Sequence, residues 1–239
     1  MPAGPVPRRA GRCTYAGSVP GLDTLLPPVV AVAVRRGDEV PDGDVGLHPG
    51  EEAAVAHAVP ARRREFVVAR SCARQALRRL GAPAGAIPSG RAGEPLWPAG
   101  VVGSITHCTG FAAAAVGWRR SLLTVGVDAE PNQPLPEGVL TLAASPAEIA
   151  HLETLDATDP RVHWGRLLFC AKEALYKAWY PVRQRWLGFE DADVRLSPDG
   201  SFRVRLLLPP PAAGPLARCH GRWALDGDLL LAALSLPAP

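Results

Sequence analysis

Apolar positions change period several times along this chain, and each change marks an element. Residues 29–34 are a continuous apolar run of strand length, and its valines favour a strand. Residues 51–80 take helical spacing, broken at Pro60, which opens a new first turn. Phe66, Ala69, Ala73, Ala76 and Leu80 form the buried seam of that helix. Residues 101–107 and 111–118 predict a hairpin across Cys108-Thr109-Gly110. Leu122, Leu123, Val125 and Val127 predict another buried strand, ended by Pro131, which has no N–H for a ladder. Ser145-Pro146-Ala147-Glu148 is a capping box with proline at the first helical position. Trp164, Leu168, Ala171, Leu175 and Ala178 make one apolar stripe, so a helix is expected over 160–180, stopped by Pro181. Strands over 193–196, 202–208, 222–225 and 229–234 close the chain, with turns at Pro198-Asp199-Gly200 and Asp226-Gly227.

These elements form a loose duplication, strands around one principal helix on either side of Leu123. The divide gives residues 1–123 and 124–239 as the two halves. The linking segments are rich in Pro and Gly: 1–27, expected to be poorly ordered at its start, 35–50 with turns at Pro41-Asp42-Gly43 and Pro49-Gly50, and 81–100. With 239 residues, 47% hydrophobic and 21% charged, the chain can bury a core. Its five cysteines are scattered without a C-x-x-C pair, which argues against a disulfide framework or a zinc site and fits a reducing cytosol. Arg8, Arg9 and Arg12 precede no apolar run, so no secretory signal is expected. No run approaches the ~18 apolar residues that a membrane span needs.

Charge then changes the picture. The net charge of +3 is mild, but Arg62, Arg63, Arg64, Arg70, Arg74, Arg78 and Arg79 crowd one helix against a single Glu65. Composition leaves open a solvated basic helix or a nucleic-acid patch. Further on, alternation puts Asp128 and Glu130 on one strand face, where two acids repel unless a positive group sits between them. On the later helix Arg166, Glu173 and Lys177 lie opposite the stripe, with Lys172 on the flank. A carboxylate between two lysines suits a polyphosphate held with Mg²⁺, which prefers oxygen ligands. Singly, these motifs read as a solvated loop and a surface ion pair; jointly they point to chemistry. His107, beside Ser104 and Thr106, is either a turn histidine or a donor to a phosphate or adenine.

VGVDAE (125–130) paired with FCAKEALYKA (169–178) resembles the signature of 4′-phosphopantetheinyl transferases. ARRREFVVAR (61–70) and GEPLWPAGVVGSITH (93–107) resemble upstream motifs of the branch with both halves in one chain, typified by enterobactin-synthase-associated and actinobacterial enzymes. The likeness covers roughly residues 61–189. It implies an α+β fold of two similar halves related by a pseudo-twofold, with coenzyme A and Mg²⁺, or Mn²⁺, in the cleft between them. It implies transfer of phosphopantetheine from coenzyme A to a serine of an apo acyl or peptidyl carrier protein. With both halves of the cleft in one chain, a cytoplasmic monomer without membrane or nucleic-acid partners is expected. Matched by position, Asp128, Glu130 and Glu173 are the metal ligands, and Glu173 is also the base for the serine. Lys172 and Lys177 neutralise the diphosphate, Lys172 being counted with the catalytic groups. Thr106 and His107 lie by the 3′-phosphate and adenine, and Arg62 and Arg70 contact phosphates. The family's lysine before G-x-P-x-W has no counterpart here; Ser89 stands nearest, and Arg91 is expected to supply the charge.

Overall fold

Three strands within residues 101–131, buried along most of their length, set out the centre of the molecule. The structure, a computed structural model, describes residues 21–37, 46–209 and 212–239. Cys13, the arginines before it and the Pro41-Asp42-Gly43 turn lie outside the described residues. Strands β1 (Ala31–Arg36), β2 (Val101–Cys108) and β3 (Phe111–Trp118) form an antiparallel sheet in the order β1-β3-β2. Strands β4 (Leu122–Pro131), β5 (Ala192–Leu196), β6 (Ser201–Leu206), β7 (Arg218–Asp226) and β8 (Leu229–Pro237) form a second, in the order β4-β8-β7-β6-β5. All its pairs are antiparallel. The fold is α+β.

A strand buried on both faces reads as a continuous apolar run, and β3 is such a strand. Ala112, Ala114 and Val116 pack with helix α1 (Pro60–Leu80), while Phe111, Ala113 and Ala115 face the second sheet. Val125, Val127 and Ala129 of β4 meet them there, with Leu231 and Ala233 of β8. The other face of the second sheet takes helix α4 (Trp164–Arg183), whose stripe is buried throughout. Gly126 permits this contact: a Cβ there would stand 2.0 Å from the Ala174 carbonyl oxygen of α4. Short helices α2 (Val139–Ala143) and α3 (Pro146–Asp156) lead into α4, and α3 opens on the capping box, with Glu148 N–H on Ser145 Oγ at 3.2 Å.

Several boundaries differ from expectation. Helix α4 starts at Trp164 and runs through Pro181 to Arg183. A proline in the last turn costs one ladder bond without stopping the helix; Gln184, at φ 49°, closes it by donating to Tyr180 O at 2.8 Å. Strand β7 begins at Arg218, because Arg218, His220 and Arg222 face solvent while Gly221 and Trp223 face inward. Strand β1 is displaced to Ala31–Arg36, with Arg35 and Arg36 laddered against Ala112 and Phe111.

Candidate active site

Strands β2 and β4 are edge strands of different sheets, and side-chain hydroxyls join them where no ladder does. Ser104 Oγ accepts the Val127 N–H at 3.1 Å, and Thr106 Oγ1 accepts the Ala129 N–H at 3.1 Å. Thr106 then donates to Asp128 Oδ1 at 3.0 Å. The edge amides of β4 are thereby satisfied, and Asp128 is held facing α4.

From α4, Lys177 Nζ donates to the same Oδ1 at 2.6 Å. Asp128 is only 4% exposed, and its Oδ2 is buried without a hydrogen-bond partner. Glu130, on the same strand face, receives Arg166 Nη1 at 2.9 Å. The positive charge that two neighbouring acids require thus comes from α4, one cation for each. Burial pushes the Glu130 carboxyl up, as does Asp128, against the pull of Arg166. Burial likewise pushes Glu173 up, with Asp128 and Glu130 adding repulsion and Lys177 opposing. Burial pulls Lys177 down, but attraction to Asp128 and Glu173 more than offsets it, and the ammonium is held above its ordinary value.

Whether these acids suit a divalent cation can be judged from the donors. All are carboxylate oxygens, which fits Mg²⁺ or Mn²⁺, and the orphaned Asp128 Oδ2 is an atom that an ion would satisfy. Among the described residues, however, no three Asp, Glu, His or Cys side chains already form a metal-holding group. Asp128 and Glu130 are turned to their cations, so an ion would have to compete with Lys177 and Arg166 for those oxygens.

The opposite wall of the cleft comes from α1 and the loop before β2. Arg62, Phe66 and Arg70 line it together with His107, Glu173 and Lys177. Arg62 Nη1 donates to His107 Nε2, and Arg62 also pairs with Glu65 at 3.2 Å. Burial, together with the Arg62 charge, holds His107 below the usual imidazole range. Arg70 is buried and stacks on Phe66 at 4.3 Å. Its Nε donates to Ile87 O at 2.8 Å and its Nη2 to Ser89 Oγ at 2.9 Å. Burial lowers the Arg70 guanidinium to about 10.

Three placements differ from the sequence expectation. Arg91 is exposed on its loop and does not line the cleft, and it is Ser89 that meets Arg70. Arg74 does not belong to a surface patch: it is fully buried against Glu51 at 2.9 Å. Lys172 is not brought to the acids, because its ammonium is buried between Glu148 Oε2 and Phe189 O, both at 2.9 Å. Helical spacing assigns a long cation to a flank, but what waits on that flank is set by another segment.

Sequence reasoning passed over a second pocket on the far side of Glu173. Glu173 and Tyr176 line both it and the first cleft, and Trp186, Leu187 and Phe189 complete it. The Tyr176 and Trp186 rings lie 5.1 Å apart, with Trp186 left 77% exposed at the rim. Tyr176 follows Glu173 at i+3, so helical spacing could have placed it on the same face. Trp186 lies beyond the helix, where no periodicity reports on it.

Comparison with known proteins agrees with this arrangement. A family model described as the 4′-phosphopantetheinyl transferase N-terminal domain matches residues 50–117, and one for the 4′-phosphopantetheinyl transferase superfamily matches 124–232. The chain is 48% identical over 218 residues to 4′-phosphopantetheinyl transferase Svp of Streptomyces mobaraensis, covering 90% of this chain and 89% of that protein. It is 44% identical over 225 residues to 4′-phosphopantetheinyl transferase Npt of Nocardia iowensis, covering 90% and 99%. With 4′-phosphopantetheinyl transferase PptT of Mycobacterium tuberculosis the identity is 46% over 196 residues, covering 79% and 85%.

Proposed function

The chain belongs to the 4′-phosphopantetheinyl transferase family, and we propose from that premise how its cleft works. The enzyme moves the 4′-phosphopantetheine arm of coenzyme A to a serine of an apo carrier protein and releases adenosine 3′,5′-bisphosphate. No comparison supports a nucleic-acid binder. The observation that carries the site assignment is the meeting of Glu173 and Lys177, the latter bonded to Asp128 behind it, in one cleft with Arg62, Arg70 and His107.

Phosphoryl transfer asks a protein mainly for positioning and charge stabilisation. Arg62, Arg70 and His107 take the phosphates of the adenosine end, while Lys177 neutralises the diphosphate. Asp128, Glu130 and Glu173 would hold Mg²⁺ or Mn²⁺, which would supply further charge neutralisation when bound. The serine oxygen bonds to the phosphorus carrying pantetheine, and the bond to the bridging oxygen breaks. Glu173 takes the serine proton, a role suited to a carboxylate whose proton affinity is raised by burial. The apolar pocket around Tyr176, Trp186 and Phe189, which shares Glu173 with the phosphate cleft, takes the pantetheine arm.

Both walls come from one chain, which supports action as a monomer, with halves 1–123 and 124–239. The exposed Arg62, Arg63 and Arg64 in the first turn of α1 would steer an acidic carrier protein. Among the described residues no helix is long and apolar enough to cross a membrane. The test is incubation with coenzyme A, Mg²⁺ and apo acyl or peptidyl carrier proteins. A mass gain of one phosphopantetheine arm is expected; a folded protein giving none across several carriers would refute the reading.

A further inference from the structure

Two buried carboxylates, Glu51 ahead of α1 and Glu148 ahead of α4, are surrounded in the same way. Glu51 Oε2 accepts the His48 N–H at 2.9 Å, and Glu148 Oε2 accepts the Ser145 N–H at 2.8 Å, in both cases from three residues back. Each then takes a cation from the long helix of its own half, Arg74 from α1 at 2.9 Å and Lys172 from α4 at 2.9 Å. The Oε1 of each accepts an amide from the segment beyond that helix, Ile87 N–H at 2.8 Å for Glu51 and Val194 N–H at 2.8 Å for Glu148. A carboxylate so placed joins three pieces of chain at one point, and in a dry interior such a satisfied network is rigid.

The segments secured in this way are the ones that wall the two pockets. Ile87 and Ser89 hold Arg70, and the same loop runs on to Gly93 and Glu94 at the phosphate cleft. Lys172 extends the second junction to Phe189 O, in the stretch whose Leu187 and Phe189 line the pocket beyond Glu173. We propose that Glu51 and Glu148 are the positioning residues of two separate subsites: Glu51 holds the phosphate wall, and Glu148, through Lys172, holds the wall of the pantetheine pocket. The assignment rests on the transferase reading above.

Titration calorimetry with two ligands tests it, coenzyme A and adenosine 3′,5′-bisphosphate, which lacks the arm. Glu51→Gln should weaken both by about ten-fold, a common cost of loosening the support behind a binding group. Glu148→Gln should weaken coenzyme A by a similar factor and leave the bisphosphate unaffected, and Lys172→Met should follow the same pattern. Should a single variant fail to fold, Glu51→Gln/Arg74→Met and Glu148→Gln/Lys172→Met remove both charges of each buried pair and are read in the same way. Equal effects of the two sets on both ligands, or no effect of either, would overturn the proposal. So would a loss of bisphosphate affinity in Lys172→Met, since it would put that ammonium on the phosphates. A wild-type protein that binds neither ligand would overturn the transferase reading itself, whereas normal wild-type binding with indistinguishable variants overturns only the positioning roles.

Discussion

Lys177 Nζ stands 2.6 Å from Asp128 Oδ1, while the other oxygen of that carboxylate is buried with nothing to bond. An ammonium on one oxygen and an orphan on the other make Asp128 the first place a divalent ion would gain by entering. In thermal melts Mg²⁺ should raise the melting temperature of the wild-type protein and have little effect on Asp128→Asn. The same variant should lose about 10²–10³ in kcat/KM, the scale for removing one charge-stabilising group. An Asp128→Asn protein that still responds to Mg²⁺ would move the ion elsewhere.

Glu173 is costly to the protein without ligands. Its carboxyl is held above the ordinary value of 4.5, by burial first and by Asp128 and Glu130 next. A folded-state pKa above the unfolded one means that the folded chain binds more protons in between. The penalty is therefore fully present above the folded value and vanishes as pH falls below 4.5. Glu173→Gln should raise the melting temperature at pH 7, with the difference shrinking in acid, while turnover falls by about 10²–10⁴. A lower melting temperature at pH 7 would contradict this account of the site.

His107 titrates in the opposite sense. Burial and the neighbouring Arg62 hold it below 6.5, so the folded chain binds fewer protons than the unfolded chain near that pH. The associated stability is present above 6.5 and lost as pH falls through the folded value. An anionic phosphate beside the ring would reverse the shift, so coenzyme A binding should take up protons as pH falls below 6.5. Calorimetry in two buffers of different ionisation heat measures that uptake. Arg62→Ala should raise the His107 pKa in an NMR titration and raise KM for coenzyme A about ten-fold, as expected for a lost charge-assisted contact.

Gly126 sets the distance between β4 and α4. A Cβ there would lie 2.0 Å from Ala174 O and 2.9 Å from the Cβ of Ala178, so Gly126→Ala must push the helix away. A destabilisation of about 1–3 kcal/mol is expected from overpacking, read by urea unfolding. Activity should fall in the protein that remains folded, because Lys177 and Glu173 ride on the displaced helix. A variant with wild-type stability and rate would show that this approach is not needed.

Much of this was legible along the chain because it depends on local rules. Strand alternation put Asp128 and Glu130 on one face, the capping box marked the start of α3, and the stripe from Trp164 to Ala178 oriented α4. Those periods follow from backbone geometry, which each residue shares with its near neighbours. What period cannot supply is the identity of the group that waits opposite. Arg70, Arg74 and Lys172 have long stems that could reach water or fold inward, and distant segments decided between the two: Ile87 and Ser89 for Arg70, Glu51 for Arg74, Glu148 and Phe189 for Lys172. The joining of β2 to β4 by Ser104 and Thr106 likewise exists only once both sheets are in place. A buried cation is stable only where a partner meets it, and that meeting belongs to the folded chain.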